Sequence, residues 1–481
     1  MVMIFWQPAW ERYEQSRVGT GLLVNSITEK EAMFMIRPWQ KNPCYWEFKG
    51  QPTLLLGGSS EDNLFQYPDV DAELELLASV GGNYVRNTMS DRDAGNVYAY
   101  AEVSPGLYDL NRWNEEYWRR FEHFLQKTAQ LNVIVQIEIW DRFDLTDAKG
   151  EPLWQRHPYN PANNVNYSYE ETGFARAYPD HPGRDLHPFF HTLPGLPLYH
   201  AGLDRVRVWQ ERYVRKVLSY TLAYDHILYC MNNETSTPPR WGQYWIDFIR
   251  REAEAKGKTV FLTDMFDDFW KAEESEHLQL VMNDPVHYMF VDASQVNSRN
   301  FGRTHWEKIC WIRSRIGDSR PVNHVKIYSA GETGWGSGTP LDGIERFWHN
   351  ILSGCASCRF HRPGCGIGLN AIAQANIRSA RLVEQEMSFF DLRPEAVRVL
   401  DDDDEHPSIF WQQPDTGKGL LFVPRGERRL EVPTTASCDY HARWLNLENA
   451  TWGEGAKIPA NVHGAKEIEV KGPGLIILSP C

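Results

Sequence analysis

The feature that most constrains the fold is an alternation of short apolar runs and amphipathic stretches between residues 53 and 390. Short apolar runs bounded by turn residues predict buried strands, and apolar residues spaced three or four apart predict helices. The predicted strands begin at Thr53, Asn83, Asn132, His226, Thr259, His287, Val322 and Ala356. Because a helical stretch follows each of these eight strands, the pattern predicts an α/β fold, a (β/α)8 TIM barrel.

A doubly wound open sheet is the alternative for the same alternation of strands and helices. Such a sheet normally carries a glycine-rich phosphate-binding loop after its first strand. Gly57 and Gly58 follow the first strand here, but they do not form that motif. The barrel is therefore the preferred interpretation.

Three regions are predicted along the chain. Residues 1–51 form an N-terminal extension with a hairpin, residues 52–392 the barrel, and residues 393–481 an antiparallel β-sandwich. The last region is assigned from short strand-like segments separated by Gly, Pro or Asn. Within the barrel, residues 144–203 are rich in Pro, Asn, His and Tyr and lack a period, which predicts a long insertion between the third strand and its helix. A structureless segment of that length in a compact domain is usually functional.

Composition restricts the function classes. The net charge of −14 argues against a nucleic-acid partner and against a polybasic membrane patch. No run approaches the ~18 apolar residues of a membrane span. Aromatic residues make up 13% of the chain, including 19 Trp, which suits a large core or a cleft lined for sugar rings. The oligomeric state is left open.

The N-terminal residues lack the charged and apolar segments of a secretory signal, so we expect either a cytoplasmic protein or one whose leader has been trimmed. Eight cysteines in 481 residues do not form a disulfide scaffold. Cys355, Cys358 and Cys365, with His361, could suggest zinc, but buried thiols are the preferred interpretation. No metal and no organic cofactor is predicted.

The ends of the predicted strands carry the candidate chemistry, because the C-terminal ends of barrel strands converge at one mouth. The fourth strand ends in Asn233-Glu234, and Glu332 follows the seventh strand in a glycine-rich turn. Two carboxylates about 5–5.5 Å apart perform retaining glycoside hydrolysis, one protonated and one ionised. Arg86 ends the second strand and would keep a neighbouring carboxylate ionised. The alternatives are an ordinary polar loop for Glu234, a capping carboxylate for Glu332 and an exposed arginine for Arg86.

These residues together resemble the signature of clan A glycoside hydrolases. More narrowly, the segments at residues 42–52 and 56–57 and Arg443-Trp-Leu-Asn-Leu-Glu-Asn are similar to the apiosidase-like group related to family 140. The resemblance covers about residues 42–478 and implies retaining hydrolysis. It implies Glu234 as acid/base, Glu332 as nucleophile, Asn233 as hydrogen-bond donor to the sugar 2-hydroxyl, and Arg86 as support for Glu332.

The chain departs from that pattern at two strand ends. The clan usually has Tyr or His after the sixth strand, where this chain offers Gln295 or Ser294. The eighth strand often ends in Trp, and here His361 follows Phe360. The remaining candidates for substrate binding are Asp141, Trp140 and Trp335; for both tryptophans a core position is the alternative. Glu138 is expected to be a satisfied carboxylate inside the barrel.

The predicted function is therefore retaining hydrolysis of an oligo- or polysaccharide by double displacement. The long insertion favours exo action, and its basic residues would suit an acidic sugar, although ordinary salt bridges explain them equally well. One alternative is a catalytically inactive barrel that binds carbohydrate. Another is a lyase or a metal-dependent isomerase, which would need a metal-ligand cluster or a Lys or Tyr base at the mouth. The sequence pattern alone identifies no such group.

Overall fold

The computed structural model describes residues 35–329, 336–401, 403, 405–433, 438–459 and 465–481. Among these residues, no helix is both long and apolar enough to cross a membrane.

The eight predicted strands are present, each starting within a few residues of its predicted position. Six of them form one parallel sheet, and two form a parallel pair. The strands of the six-stranded sheet are β4 (Leu55–Gly58), β5 (Tyr84–Thr88), β8 (Ile134–Asp141), β9 (Ile227–Asn233), β10 (Leu262–Thr263) and β13 (Ser357–Phe360). The pair consists of β11 (Val291–Asp292) and β12 (Val322–Asn323). The sheet order is β10-β9-β8-β5-β4-β13.

Backbone hydrogen bonds connect the β11–β12 pair to this sheet on both sides. On one side, the backbone N–H of Met289 donates to the carbonyl of Leu262 in β10 at 2.8 Å. On the other side, the N–H of Ala356 donates to Val322 at 2.7 Å, and the N–H of Arg359 donates to His324 at 3.0 Å. The short β10, β11 and β12 thus lie beside the longer strands of the same core.

Helices follow the strands in the predicted alternation. They are α1 (Val70–Ser79), α2 (Glu115–Leu131), α3 (Leu153–Arg156), α4 (Tyr169–Thr172), α5 (Leu203–Thr221), α6 (Pro239–Glu254), α7 (Glu276–Asn283), α8 (Gly302–Ile316), α9 (Pro340–Leu352) and α10 (Ala371–Glu384).

In α2, the side chain of Asn114 accepts a hydrogen bond from the N–H of Glu116, which satisfies a free donor of the first turn. The helix ends at Asn132 in the left-handed conformation, and its apolar face is buried, including Trp118 and Phe121.

The insertion between β8 and α5 is ordered and packs on its own aromatic residues. Trp154 is fully buried and contacts Phe174, Tyr178 and His187 with ring centroids 5.2, 5.5 and 4.5 Å apart. A hairpin of β6 (Tyr100–Ser104) and β7 (Leu107–Trp113) precedes α2. This hairpin was not predicted from the sequence, because residues 90–112 have no sustained period.

Antiparallel strands precede and follow the parallel sheet. The predicted N-terminal hairpin is a three-stranded sheet of β1 (Arg37–Trp39), β2 (Asn42–Phe48) and β3 (Gln51–Thr53). The C-terminal region is a seven-stranded sheet of β14 (Val397–Val399), β15 (Ile409–Gln412), β16 (Gly419–Pro433), β17 (Tyr440–Asn446), β18 (Thr451–Trp452), β19 (Ala456–Ile458) and β20 (Ala465–Pro480). One face packs on the helices, with Phe422 6.4 Å from Trp348 between ring centroids. The predicted antiparallel character is confirmed, whereas the two-layered sandwich stays a prediction.

Candidate active site

A cavity of about 980 Å³ lies at the C-terminal ends of the parallel strands. Its floor includes side chains from the ends of β5, β9 and the segment after β12. The insertion after β8 and the loops after β5, β11 and β13 form its walls. The cavity therefore occupies the position where strand-end residues of this architecture converge.

Arg86 is the centre of a buried polar network beneath this cavity. Its Nε and Nη2 donate to the two carboxylate oxygens of Glu138, both at 2.7 Å. Its Nη1 donates to Asp62 at 2.5 Å, and Nη2 also donates to the Oδ1 of Asn233 at 2.9 Å. Arg86 and Glu138 are both fully buried. Since a buried ion pair requires such complete hydrogen bonding, this network fixes the geometry of the strand ends. Glu138 is the satisfied interior carboxylate that was expected.

Asn233 is held from three sides. Its Nδ2 donates to Asp141 at 3.0 Å, while its Oδ1 accepts from Arg86 and, at 2.6 Å, from Lys326 Nζ. Asp141 also accepts a hydrogen bond from Arg92. The predicted residues Arg86, Asn233 and Asp141 are thus brought together by the fold.

Glu234 follows directly and borders the cavity. Its backbone has φ of +54°, a left-handed conformation that is uncommon for a residue with a side chain. Lys326 Nζ donates to its Oε1 at 2.6 Å. Burial alone would raise the pKa of Glu234, but the positive charges of Lys326 and Arg142 outweigh it and lower that pKa to about 2. Glu234 is therefore ionised in the ligand-free protein, whereas a general acid must be protonated.

A second cluster surrounds Asp62, which follows β4. Arg92 Nη2 and Arg362 Nε lie 3.3 and 3.1 Å from one carboxylate oxygen, and the Nδ1 of His361 lies 3.6 Å from the other. Burial opposes ionisation of Asp62, but Arg86 and its other cationic neighbours hold its pKa well below the usual range.

His361 and Gln295, two predicted binding residues, both line the cavity. The ring of His361 stacks on Tyr328, with centroids 4.9 Å apart. Burial lowers the pKa of His361 well below its usual value, so the ring is neutral. Gln295 is buried, and its Nε2 lies 3.5 Å from the sulfur of Met265.

Several carboxyl groups near the strand ends have raised pKa values, among them Asp144 and Asp264. Burial and the neighbouring charge of Asp141 raise the pKa of Asp144 to about 8. Burial raises the pKa of Asp264 to about 7, against hydrogen bonds from Asn232 and the backbone. Asp264 does not line the cavity, because its carboxylate bonds to Asn232 beneath α6.

Two predicted residues whose positions are described, Trp140 and Asp141, do not line the cavity, and Asp141 instead accepts a hydrogen bond from Asn233. Trp140 packs in an aromatic core against Phe189 and Trp245, with ring centroids 5.5 and 5.2 Å away. The cavity lining does not include Trp140. Glu332 and Trp335 lie outside the described residues, so their placement remains a prediction.

Several residues that build the site were not predicted from the sequence: Lys326, Asp62, Arg92, Arg142 and Trp270. Lys326 lies in an apolar strand-like run, where a polar residue resembles an outward-facing side chain. Asp62 lies in the polar stretch Ser59-Ser-Glu-Asp, which is typical of an exposed turn. Trp270 borders the cavity and is 38% exposed, which for a large aromatic residue is a signal of binding that only the structure provides.

Within the described parts of the chain, no group of three His, Cys, Asp or Glu side chains is arranged to hold a metal ion. Cys355 and Cys358 are buried free thiols, and Cys365 is partly buried and borders the cavity. In the described part of the chain, the site combines carboxylates, amides and cations with the aromatic side chains of His361, Tyr328 and Trp270.

Comparison with known proteins supports this architecture. A family model described as a domain of unknown function, DUF6298, matches residues 90–267, which include Asn233 and Glu234. No curated protein matches the chain. A glycoside hydrolase family 5 structure from Bacteroides vulgatus ATCC 8482 is 11% identical, covers 94% of each chain and has a TM-score of 0.62. Another structure, named "Glycoside hydrolase", is 11% identical, covers 94% of this chain and 98% of that chain, and has a TM-score of 0.61.

The chain shares the fold of these glycoside hydrolases. At this identity the likeness concerns the fold, and the chemistry must be argued from the residues of this chain.

Proposed function

We propose that this protein is a retaining O-glycosidase that acts on an oligo- or polysaccharide by double displacement. The observation that carries the proposal is the Asn233-Glu234 pair, which lies at the end of the fourth parallel strand, in the floor of a large cavity, and is fixed by Arg86 and Lys326. Polar groups held in this way meet the requirement that catalytic groups be positioned before the reaction.

In the proposed reaction, Glu234 is the acid/base and Glu332 is the nucleophile. Glu234 donates a proton to the glycosidic oxygen, the C1–O bond breaks, and Glu332 forms a bond with C1. Water then attacks C1, Glu234 takes a proton from that water, and the glycosyl–Glu332 bond breaks. Asn233 would position Glu234 and the sugar 2-hydroxyl, and His361, Gln295 and Trp335 would contact the sugar.

The finer relationship and architecture belong to the same proposal. We propose that the β11–β12 pair completes a closed (β/α)8 barrel and that the C-terminal sheet folds into a sandwich. We also propose that the chain is related to the apiosidase-like group of family 140, and that the enzyme is exo-acting because the long insertion closes one end of the groove. The insertion supports this preference, because Arg156 and His181 from it line one side of the cavity.

A lyase is less well supported, although the structure does place a Lys and a Tyr at the mouth of the cavity. A lyase needs a deprotonated base. Lys326 donates hydrogen bonds to Asn233 and Glu234, so its Nζ is engaged by two acceptors. Burial and the charge of Glu234 raise the pKa of Tyr328 well above its usual value. Tyr328 is therefore not a ready base in the free protein.

Hydrolysis of a panel of aryl glycosides and oligosaccharides tests the proposal. We expect Glu234→Gln and Glu332→Gln each to reduce kcat by roughly 10²–10⁴-fold, the usual contribution of acid–base catalysis. Proton NMR of the first-formed product should show the anomeric configuration of the substrate. Glu116→Gln, an exposed position on α2, is the matched control and should retain full activity.

Two results would contradict the proposal. One is a loss of less than about tenfold in both active-site variants. The other is calorimetric binding of a sugar without turnover of any substrate, which would identify an inactive carbohydrate-binding barrel.

A further inference from the structure

Lys326 is a buried cation placed directly against Glu234. Its side chain is 1% exposed, and its Nζ lies 2.6 Å both from Glu234 Oε1 and from Asn233 Oδ1. Burying a lysine is costly unless its charge is compensated. Among the groups near Glu234, Lys326 is therefore the one whose position depends directly on the carboxylate.

In the described part of the chain, Arg142 and Arg86 are the other cations that act on Glu234 most strongly. Arg142, after β8, donates to Ser236 and Asp267 at 2.7 Å each, so its guanidinium is bound to these neighbours. Arg86 in β5 is engaged by Asp62, Glu138 and Asn233. Among the described residues, Asp267 after β10 and Tyr328 after β12 also line the cavity. Arg142 and Arg86 act on Glu234 through space, whereas Lys326 touches it.

We propose that Lys326 is a positioning residue that controls the protonation of Glu234: it binds the carboxylate in the free protein and transfers to a sugar oxygen when substrate binds. Glu234 then takes up a proton from water and becomes the general acid. This inference rests on the proposed function and explains how one carboxylate can be ionised in the free protein and protonated for the reaction.

The geometry permits this exchange of partners. Lys326 and Glu234 both line the cavity, and the side chain of Glu234 is 18% exposed, so a substrate oxygen can approach the ammonium. Asn233 Oδ1 stays as the second acceptor for Nζ, and the lysine is not left without a partner. A cation within hydrogen-bond distance lowers the pKa of a buried carboxyl by about 1–3 units, and that effect is lost when the cation moves away.

The pH dependence of the two kinetic parameters separates the free protein from the complex. The descending limb of kcat/KM reports the acid in the free enzyme, and that of kcat reports the acid in the complex. In the wild type we expect the kcat/KM limb to lie about 1–3 pH units below the kcat limb. In Lys326→Met, the descending limb of kcat/KM should shift to higher pH, toward the descending limb of kcat. Lys326→Arg keeps the positive charge, so its descending limb of kcat/KM should stay at the low pH of the wild type.

A direct measurement on Glu234 keeps the test independent of turnover. The side-chain carboxyl is followed by ¹³C NMR during a pH titration and assigned by its loss in Glu234→Gln. We expect the Glu234 pKa to rise by about 1–3 units in Lys326→Met. If that variant does not fold, Lys326→Gln serves in its place.

Three outcomes would overturn the inference. An equal loss of activity at every pH, with no limb moving, would mean that Lys326 is only structural. A shift of the ascending limb instead of the descending one would identify Glu234 as the nucleophile. An unchanged Glu234 titration in Lys326→Met would remove the coupling altogether. A rise of the Glu234 pKa in Lys326→Met, found in a protein that hydrolyses no sugar, would support the coupling between Lys326 and Glu234. It would contradict the proposed function instead.

Discussion

At the residue scale, Glu234 combines an unusual backbone with an unusual charge environment. A left-handed conformation costs a residue with a side chain roughly 1–2 kcal/mol. Strain of this kind persists where the surrounding structure enforces it, and it is concentrated at functional sites. Here β9 continues directly into the strained residue, and the ammonium of Lys326 holds its side chain.

Arg86 is the residue whose removal should destabilise the protein most clearly. Arg86→Met would leave Glu138 and Asp62 buried without their main cation, which typically costs about 3–5 kcal/mol. The folded-state pKa of both carboxyls would rise. When a carboxyl has a higher pKa in the folded than in the unfolded protein, the free energy of unfolding falls as the pH rises through the folded-state pKa. The free energy of unfolding that Arg86→Met loses should therefore be greater at pH 8 than at pH 5. Urea unfolding at both pH values measures it.

Arg119→Met is the matched control for Arg86→Met. Arg119 pairs with Glu116 on the surface of α2, with side chains 68% and 42% exposed, and such pairs contribute at most about 1 kcal/mol. Adding Glu138→Gln to Arg86→Met should recover part of the lost free energy of unfolding. Equal costs for Arg86→Met and Arg119→Met would show that the network has no energetic role.

At the scale of the elements, the parallel strands could be predicted because they are short apolar runs, and the helices because their apolar residues recur every three or four positions. The strand at 134–141 is rich in β-branched residues, and α2 has a continuous apolar face. The β6–β7 hairpin lacks such a pattern, since most residues of β6 are partly or fully exposed. Exposure removes the alternation by which a half-buried strand is recognised.

The site was predictable only where residues lie at a counted strand end. Asn233, Glu234 and Arg86 satisfy that condition. Lys326 does not, because β12 ends at Asn323, and the contact between Nζ and Glu234 joins residues 92 positions apart in the chain. Contacts of this kind depend on which strands lie close together in space, and a single sequence does not specify that at the level of one side chain.

The insertion after β8 should depend on Trp154 as its centre. Trp154→Ala would remove its three aromatic contacts and the hydrogen bond from its Nε1 to Ala175 at 3.0 Å, at a cost of about 3–5 kcal/mol. We expect faster hydrogen exchange across residues 142–202, with little change in β8 and β9. Trp311→Ala, on the half-buried face of α8, is the control and should leave the insertion unchanged. Protection lost equally in β9 would mean that the insertion and the parallel sheet unfold together.

At the scale of the whole molecule, the C-terminal sheet has two different faces. Trp411, Phe422 and Ile477 belong to the same buried cluster as the parallel strands and helices. Leu421 and Val470 belong to a separate cluster on the other side. Neighbouring residues of β16 therefore point in opposite directions, one into the shared core and one into the core of the sheet alone.

Polar contacts join the same two parts. Arg425 in β16 bonds to Asp342 and lies 3.4 Å from Glu345, both in α9. His406 Nδ1 lies 2.9 Å from Glu345, and Asn376 in α10 donates to the carbonyl of Leu447 at 3.2 Å. The sheet thus covers α9 and α10 with both apolar and charged groups, which is typical of elements that unfold as one unit.

We therefore expect the chain to unfold in one transition and a chain ending at residue 396 to be unstable. Truncation would expose the outer apolar face of α9 and α10 to water, and large exposed patches of this kind promote aggregation.

Calorimetric and van't Hoff enthalpies of the full chain should agree, as they do for a two-state transition. Phe422→Ala, which opens the shared core, should lower the midpoint of that single transition and cost about 3–5 kcal/mol. Two separate transitions, together with a soluble truncated chain that unfolds at the same urea concentration as the full protein, would mean that the parallel sheet and its helices are stable without the C-terminal region.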